Sequence, residues 1–134
     1  MKDNDFLANQ WITRAISNLE KAKCVPASDK ILFEDLCFDC QQAVEKALKA
    51  LLIYNEIEFP KTHSLNQLIF LLHGKIDYIP EFVNDSVYLT DYSVSTRYPG
   101  DYEPVTKKEF QEALEISQKV VDWVSSSINK ELLF

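Results

Sequence analysis

Along Ile31 to Tyr54 the apolar residues fall at Leu36, Cys37, Cys40, Ala43, Val44, Ala47, Leu48, Leu51 and Leu52. The gaps alternate between one and three residues, the signature of one broad face of an α-helix. Ala, Leu, Lys, Glu and Gln fill most of the stretch, so propensity agrees with pattern. Phe38, Ala50 and Ile53 add apolar area off that face. This predicts a helix in the middle of a bundle or at a subunit contact. The same period recurs from Phe6 to Lys23, at Leu7, Ala8, Trp11, Ile12, Ala15, Ile16, Leu19 and Ala22, with Arg14, Asn18, Glu20 and Lys21 on the wet side. Pro26 biases Val25 out of the helical region and ends that helix. Ser28 and Asp29 are candidate N-caps for the central helix. The short link predicts antiparallel neighbours.

Phe59-Pro60 marks a break after the central helix. Ser64 with Gln67 is a candidate capping box. A third helix then runs from Leu65 to His73 with Leu65, Leu68, Ile69 and Leu72 inward, and Gly74 stands at the C′ position. Pro80 is the candidate first residue of a fourth helix reaching about Tyr92, with Phe82, Val83, Val87 and Leu89 facing the core. Ser93 to Val105 has no period and contains a Pro99-Gly100 turn of type II character. Thr106 with Glu109 is a second capping box. The last helix runs from Lys107 to about Ile128 on a stripe of Phe110, Ala113, Leu114, Ser117, Val120, Val121, Val124 and Ile128, with Glu115 and Lys119 paired on the wet side. The chain reads as all-α: an up-and-down helical bundle of about five helices, forming a single domain over residues 1–134.

Composition narrows the picture. Two glycines and five prolines in 134 residues are too few turns for a sandwich or barrel. The net charge of -7 disfavours binding to a phosphate backbone, so no DNA ligand is expected. No apolar run approaches twenty residues and the first residues lack a signal-peptide core, so no membrane association is expected. The three cysteines read as reduced and the location as cytoplasmic. Cys37 and Cys40 form a C-x-x-C, but inside a helix and on its apolar stripe. They read as small core residues rather than redox or zinc ligands. His63 and His73 are too far apart for one metal site, and His63 beside Thr62 reads as part of a helix cap. No metal and no cofactor is expected. The carboxylates read as solvated residues on wet helix faces.

Arg97-Tyr98-Pro99-Gly100-Asp101-Tyr102 differs in kind. An arginine and two tyrosines in a turn suit an anion site or an interface hot spot. The last helix aims its positive dipole end, with Lys107 and Lys108, at the end of this loop. The plain alternative is that Arg97 pairs with a carboxylate at the core edge while the tyrosines lid the bundle.

Four stretches together resemble the HEPN domain family. Trp11 with Ala15 and Leu19 is similar to its first helix. Cys37-Phe38-Asp39-Cys40-Gln41-Gln42-Ala43-Val44-Glu45-Lys46-Ala47-Leu48-Lys49-Ala50 resembles its central C-F-x-C-Q-Q-A-x-E-K-x-L-K-A pattern. Pro60 to Leu65 resembles its P-x-T-H-x-L junction. Tyr92 with Arg97-Tyr98-Pro99 resembles its Y…R-Y-P segment. The resemblance implies a four-helix bundle with a short extra helix, usually a homodimer, and a minimal nucleotidyltransferase as partner, often in a toxin–antitoxin pair. Many members are metal-independent ribonucleases with an R-x(4–6)-H motif. Arg97 matches the arginine, but Tyr102, Glu103 and Pro104 occupy the histidine's range. A tyrosine, with a pKa of ~10, is a poor proton shuttle at neutral pH.

The resemblance therefore implies a binding or interaction module rather than an enzyme. Arg97 and Tyr98 would hold the phosphate of a nucleotide. Asp39, Gln42 and Lys46, one to two turns apart on the central helix, would line a pocket toward the Arg97 loop. The rival reading is a degenerate ribonuclease acting on RNA through Arg97 and Tyr102. Tyr102 is also a candidate modification acceptor for the nucleotidyltransferase.

Overall fold

The computed structural model describes residues 2–24, 28–93 and 103–128. Five α-helices appear among them: α1 Lys2–Lys23, α2 Phe33–Tyr54, α3 Leu65–His73, α4 Glu81–Asp85 and α5 Lys107–Ile128, with a 3-10 segment, Ser86–Ser93, directly after α4. No strand occurs among the described residues. Helix α2 is the centre: α1, α3, α5 and the 3-10 segment all pack against it. Thirteen of its 22 residues are buried, more than one apolar stripe supplies. Trp11 meets Lys49 and Lys21 meets Asp39, so α1 and α2 run antiparallel. Cys37 and Cys40 are both buried in the core. The Ser117 hydroxyl of α5 donates to the Cys40 carbonyl at 3.2 Å, joining α5 to α2.

Helix α3 has the predicted bounds and buried stripe, and α5 starts at Lys107 and ends at Ile128 as expected, with Phe110 and Leu114 of its predicted stripe only partly buried. Ser64 accepts from the Gln67 N–H, although its own N–H goes to the Thr62 hydroxyl rather than to the Gln67 side chain. At Thr106 and Glu109 the capping box is complete in both directions.

Elsewhere the ends differ from expectation. Helix α1 begins at Lys2 rather than Phe6, with Asp3 and Asp5 in its first turn, where they complement the dipole. Helix α2 starts at Phe33, with Leu32 at the N-cap and no side-chain cap. Ser28 instead accepts from the Lys30 N–H in a local turn. The start of α2 is held by packing: the Phe33 ring stacks on Phe110 at 5.6 Å. Val25 and Pro26 lie outside the described residues. Pro80 is a cap and not a helical residue, and α4 gives way to the 3-10 segment after Asp85. There the Ser86 and Ser93 hydroxyls bond carbonyls three residues back, which competes with the α-helical pattern. Val83 and Leu89 are buried as expected.

The left-handed residue is also displaced. Gly74 has φ -75, in the right-handed region, so it is not a left-handed C′ residue. Glu56 instead has φ 57. It closes α2 in a Schellman motif: the Ile57 N–H reaches the Leu52 carbonyl at 2.9 Å, and the Glu56 N–H the Ile53 carbonyl at 3.0 Å. A side chain there is strained, and glycine is not. Glu56→Gly is expected to raise stability by about 0.5–1 kcal/mol, seen as a higher midpoint in urea unfolding with an unchanged slope.

Candidate functional site

Arg97, Tyr98, Asp101 and Tyr102, together with the Pro99-Gly100 turn, lie outside the described residues. The residues flanking that segment line a cavity of about 420 Å³ whose wall includes Tyr88, Asp91, Tyr92, Glu103, Thr106 and Glu109. Burial pushes the Tyr88 and Tyr92 hydroxyls up to about 12, with nearby carboxylates and the Cys37 thiol adding to it. Hydrogen bonds from the Thr106 backbone and side chain hold the Glu109 carboxyl below its usual value. Asp91, Glu103 and Glu109 make the described part of this wall acidic.

The three predicted residues on α2 divide between two networks. Asp39 and Lys46 converge on Asn18 of α1, which is buried to 7% exposure. The Asn18 amide donates to Asp39 Oδ1 at 2.9 Å, and its carbonyl accepts from Lys46 Nζ at 2.7 Å. Lys21 Nζ sits 3.1 Å from the same Asp39 oxygen. Burial lowers the Lys46 pKa, and the charges of Lys21 and Arg14 lower it further against the pull of Glu45 and Asp39. Two lysines thus meet at one aspartate, Lys21 directly and Lys46 through Asn18. An ammonium carries three donors, and Lys46 directs one to Asn18. Gln42 instead donates its amide to Gln41 Oε1 at 2.8 Å, on the other side of the helix edge.

That second network was not expected from the pattern. Glu45 is not a wet carboxylate: it is 3% exposed, and Lys49 one turn on is 8% exposed. Lys49 Nζ meets Glu45 Oε2 at 2.9 Å and lies over the Trp11 and Phe59 rings at 5.6 and 6.0 Å. The Gln41 amide donates to Glu45 Oε1 at 2.9 Å and toward the His63 carbonyl at 3.4 Å. His63 Nδ1 stands 3.0 Å from Glu45 Oε1. So His63 is not a helix cap; it ties the junction before α3 to α2. His73 bonds Asn84 instead, and the two histidines share no site. No cluster of His, Cys, Asp and Glu able to hold a metal occurs among the described residues.

Burial alone would raise the Glu45 pKa, but hydrogen bonds from Gln41, Lys49 and His63, with the Lys49 charge, bring it below its ordinary value. The folded carboxyl thus titrates below the unfolded one. Its stabilisation is complete above the unfolded value and is lost as pH falls through the folded one. Glu45→Ala leaves the Lys49 ammonium buried without its carboxylate and is expected to cost about 3–5 kcal/mol in urea unfolding. Wild-type melting temperature should also fall more steeply between about pH 5 and 3 than that of Glu45→Gln.

The HEPN domain model matches residues 8–129 of the chain. Among solved structures, the chain is similar to ST0689, an archaeal HEPN homologue, at 27% identity and a TM-score of 0.67, covering 90% of this chain and 97% of that one. It is similar also to TT1696 from Thermus thermophilus, at 29% identity and a TM-score of 0.73, covering 89% and 96%. No curated protein matches. The fold, the central helix and the family model agree, and the chain belongs to the HEPN domain family.

Proposed function

We propose that this HEPN domain is a binding and interaction module that takes the phosphate of a nucleotide and works as a homodimer beside a minimal nucleotidyltransferase of the toxin–antitoxin kind. One observation carries the phosphate reading: Lys46 shares Asn18 with Asp39, Lys21 pairs with the same Asp39, and the charges of Lys21 and Arg14 both act on Lys46, in a chain of net charge -7. Lys46 is desolvated and repelled by the other two cations. An anion placed there relieves that repulsion and uses donors the fold leaves over. Asn18 holds the ammonium in place from a buried position, so little ordering is needed on binding.

In this reading Arg97 and Tyr98 extend the phosphate contact from the loop. Asp39 orients Asn18 and Lys21, and Gln42 borders the strip. A binding role also fits a sequence in which Tyr102, Glu103 and Pro104 stand where a ribonuclease motif needs histidine. Removing one charge-assisted contact to phosphate is expected to weaken binding about tenfold. Calorimetry with AMP and ATP should therefore show Lys46→Met and Arg97→Ala each losing about that much. Equal affinity in Lys46→Met and wild type would overturn the phosphate assignment. Degradation of RNA by the purified protein, abolished in Tyr102→Phe, would favour the ribonuclease instead. The partner reading expects co-purification with a minimal nucleotidyltransferase encoded nearby, and a dimer at micromolar concentration in sedimentation. A monomer that captures no such enzyme refutes it.

A further inference from the structure

Among the described residues of α2, Phe38 is the one large apolar side chain left exposed, at 38%. Every other aromatic or long aliphatic residue of that helix is buried or packed against the core cluster. Helical spacing puts Gln42 one turn beyond Phe38, and Lys46 one turn beyond Gln42, so the three are successive neighbours in one row. Gln42 and Lys46 are half-buried. The row spans two turns, on the order of 12 Å along the axis.

Hydrogen bonds shorten that span. Lys46 Nζ donates to the Asn18 carbonyl at 2.7 Å, and the amide of the same Asn18 side chain donates to Asp39 Oδ1 at 2.9 Å. The ammonium therefore ends within one carboxamide and two hydrogen bonds of Asp39, the residue next to Phe38. Lys46 is drawn back along α2 toward the ring, the direction that helical side chains favour. Gln42, between them, gives an amide N–H to Gln41, and a carboxamide has a second N–H and an acceptor oxygen besides. The two ends of the row differ in charge. Glu34 and Asp35 stand in the first turn of α2, one turn before Phe38. Lys46, on which the charges of Arg14 and Lys21 also act, stands at the other end. A phosphate is repelled at the first end and attracted at the second, so the ring meets the uncharged part of a ligand.

We propose that Phe38 is the base platform of this row: a nucleotide whose phosphate lies on Lys46 lays its base on the Phe38 ring, its sugar passing Gln42. The assignment rests on the phosphate reading of Lys46 and adds the ligand class to it, a nucleotide rather than a sugar phosphate. An exposed ring in line with an ammonium matches a ligand that is flat and weakly polar at one end and anionic at the other. Stacking on a single ring accepts every base, because every base has a π-face. The row therefore separates nucleotides from other phosphate esters, and not one base from another.

The test compares AMP with ribose-5-phosphate, which carries the same sugar and phosphate without the base, by calorimetry on the full chain. Wild type is expected to bind AMP about tenfold more tightly. Phe38→Ala should erase that preference, and Phe38→Trp should keep it. Phe70→Ala, at a ring 74% exposed on α3, should keep it as well. Lys46→Met should weaken both ligands alike. Equal affinities in wild type, or a preference that survives Phe38→Ala, overturn the assignment. If the preference survives while Phe38→Ala turns a dimer into a monomer in sedimentation, the ring is a subunit contact instead. If Phe38→Ala does not fold, the ring-proton spectrum of wild type decides: AMP must move the Phe38 signals upfield and ribose-5-phosphate must not, and any other result overturns the assignment. Equal binding of the two ligands, lost in Lys46→Met, removes Phe38 alone. Failure of both to bind removes the phosphate reading with it.

Discussion

A helix enclosed on most of its sides accepts a charge only where a partner meets it inside, and α2 is so enclosed. Removing an ion from water costs several kcal/mol even after relaxation. Glu45 and Lys49 offset that cost against each other at 2.9 Å, with Gln41, His63 and two aromatic rings completing their surroundings. Every buried side-chain polar atom among the described residues has a partner. The polar groups of α2 thereby position its neighbours. Trp11 and Asn18 fix α1 against it, and His63 and Phe59 fix the junction that leads into α3.

This arrangement puts two polar networks on one rigid element. One gathers cations around Asp39 and Asn18, the other spreads from Glu45. A site built on a packed helix needs less ordering than one built on a loop. The cavity beside residues 94–102 is different in kind. Its described wall is acidic, and its tyrosines are held protonated by burial. The described cations that meet at Asn18 and Asp39 are on the other polar network, where α1 meets α2.

Hydrophobic period made the fold legible. It located α3 to the residue and the start of α5, and put Cys37 and Cys40 in the core, because burial and helical spacing agree there. It misplaced the start of α2, since stacking of Phe33 on Phe110 replaces the polar cap that local sequence suggested. It missed the left-handed Glu56, since the residue type gives no sign of it. It also took Glu45 for a wet residue. A Glu followed four positions later by Lys looks the same whether solvated or buried. Glu115 and Lys119 form the wet version, with side chains 71% and 55% exposed. Only Trp11 and Phe59, distant in sequence, distinguish the buried pair. Of the predicted site, Asp39 and Lys46 do meet, through an asparagine that pattern alone had left on the wet side.

The stretch Cys37 to Ala50 that resembles the family most closely is also the one whose polar residues the fold uses most. Gln41, Glu45 and Lys49 satisfy one another, and Asp39 is held by Asn18 and Lys21. Such residues would be required for the bundle even if it bound nothing, so their presence argues for the fold before it argues for a function. A functional argument has to rest on capacity the fold leaves over. Lys46 has donors beyond the one given to Asn18. It is half-buried, at the margin of α2. Substituting Glu45 tests the bundle, whereas substituting Lys46 tests what the bundle is for.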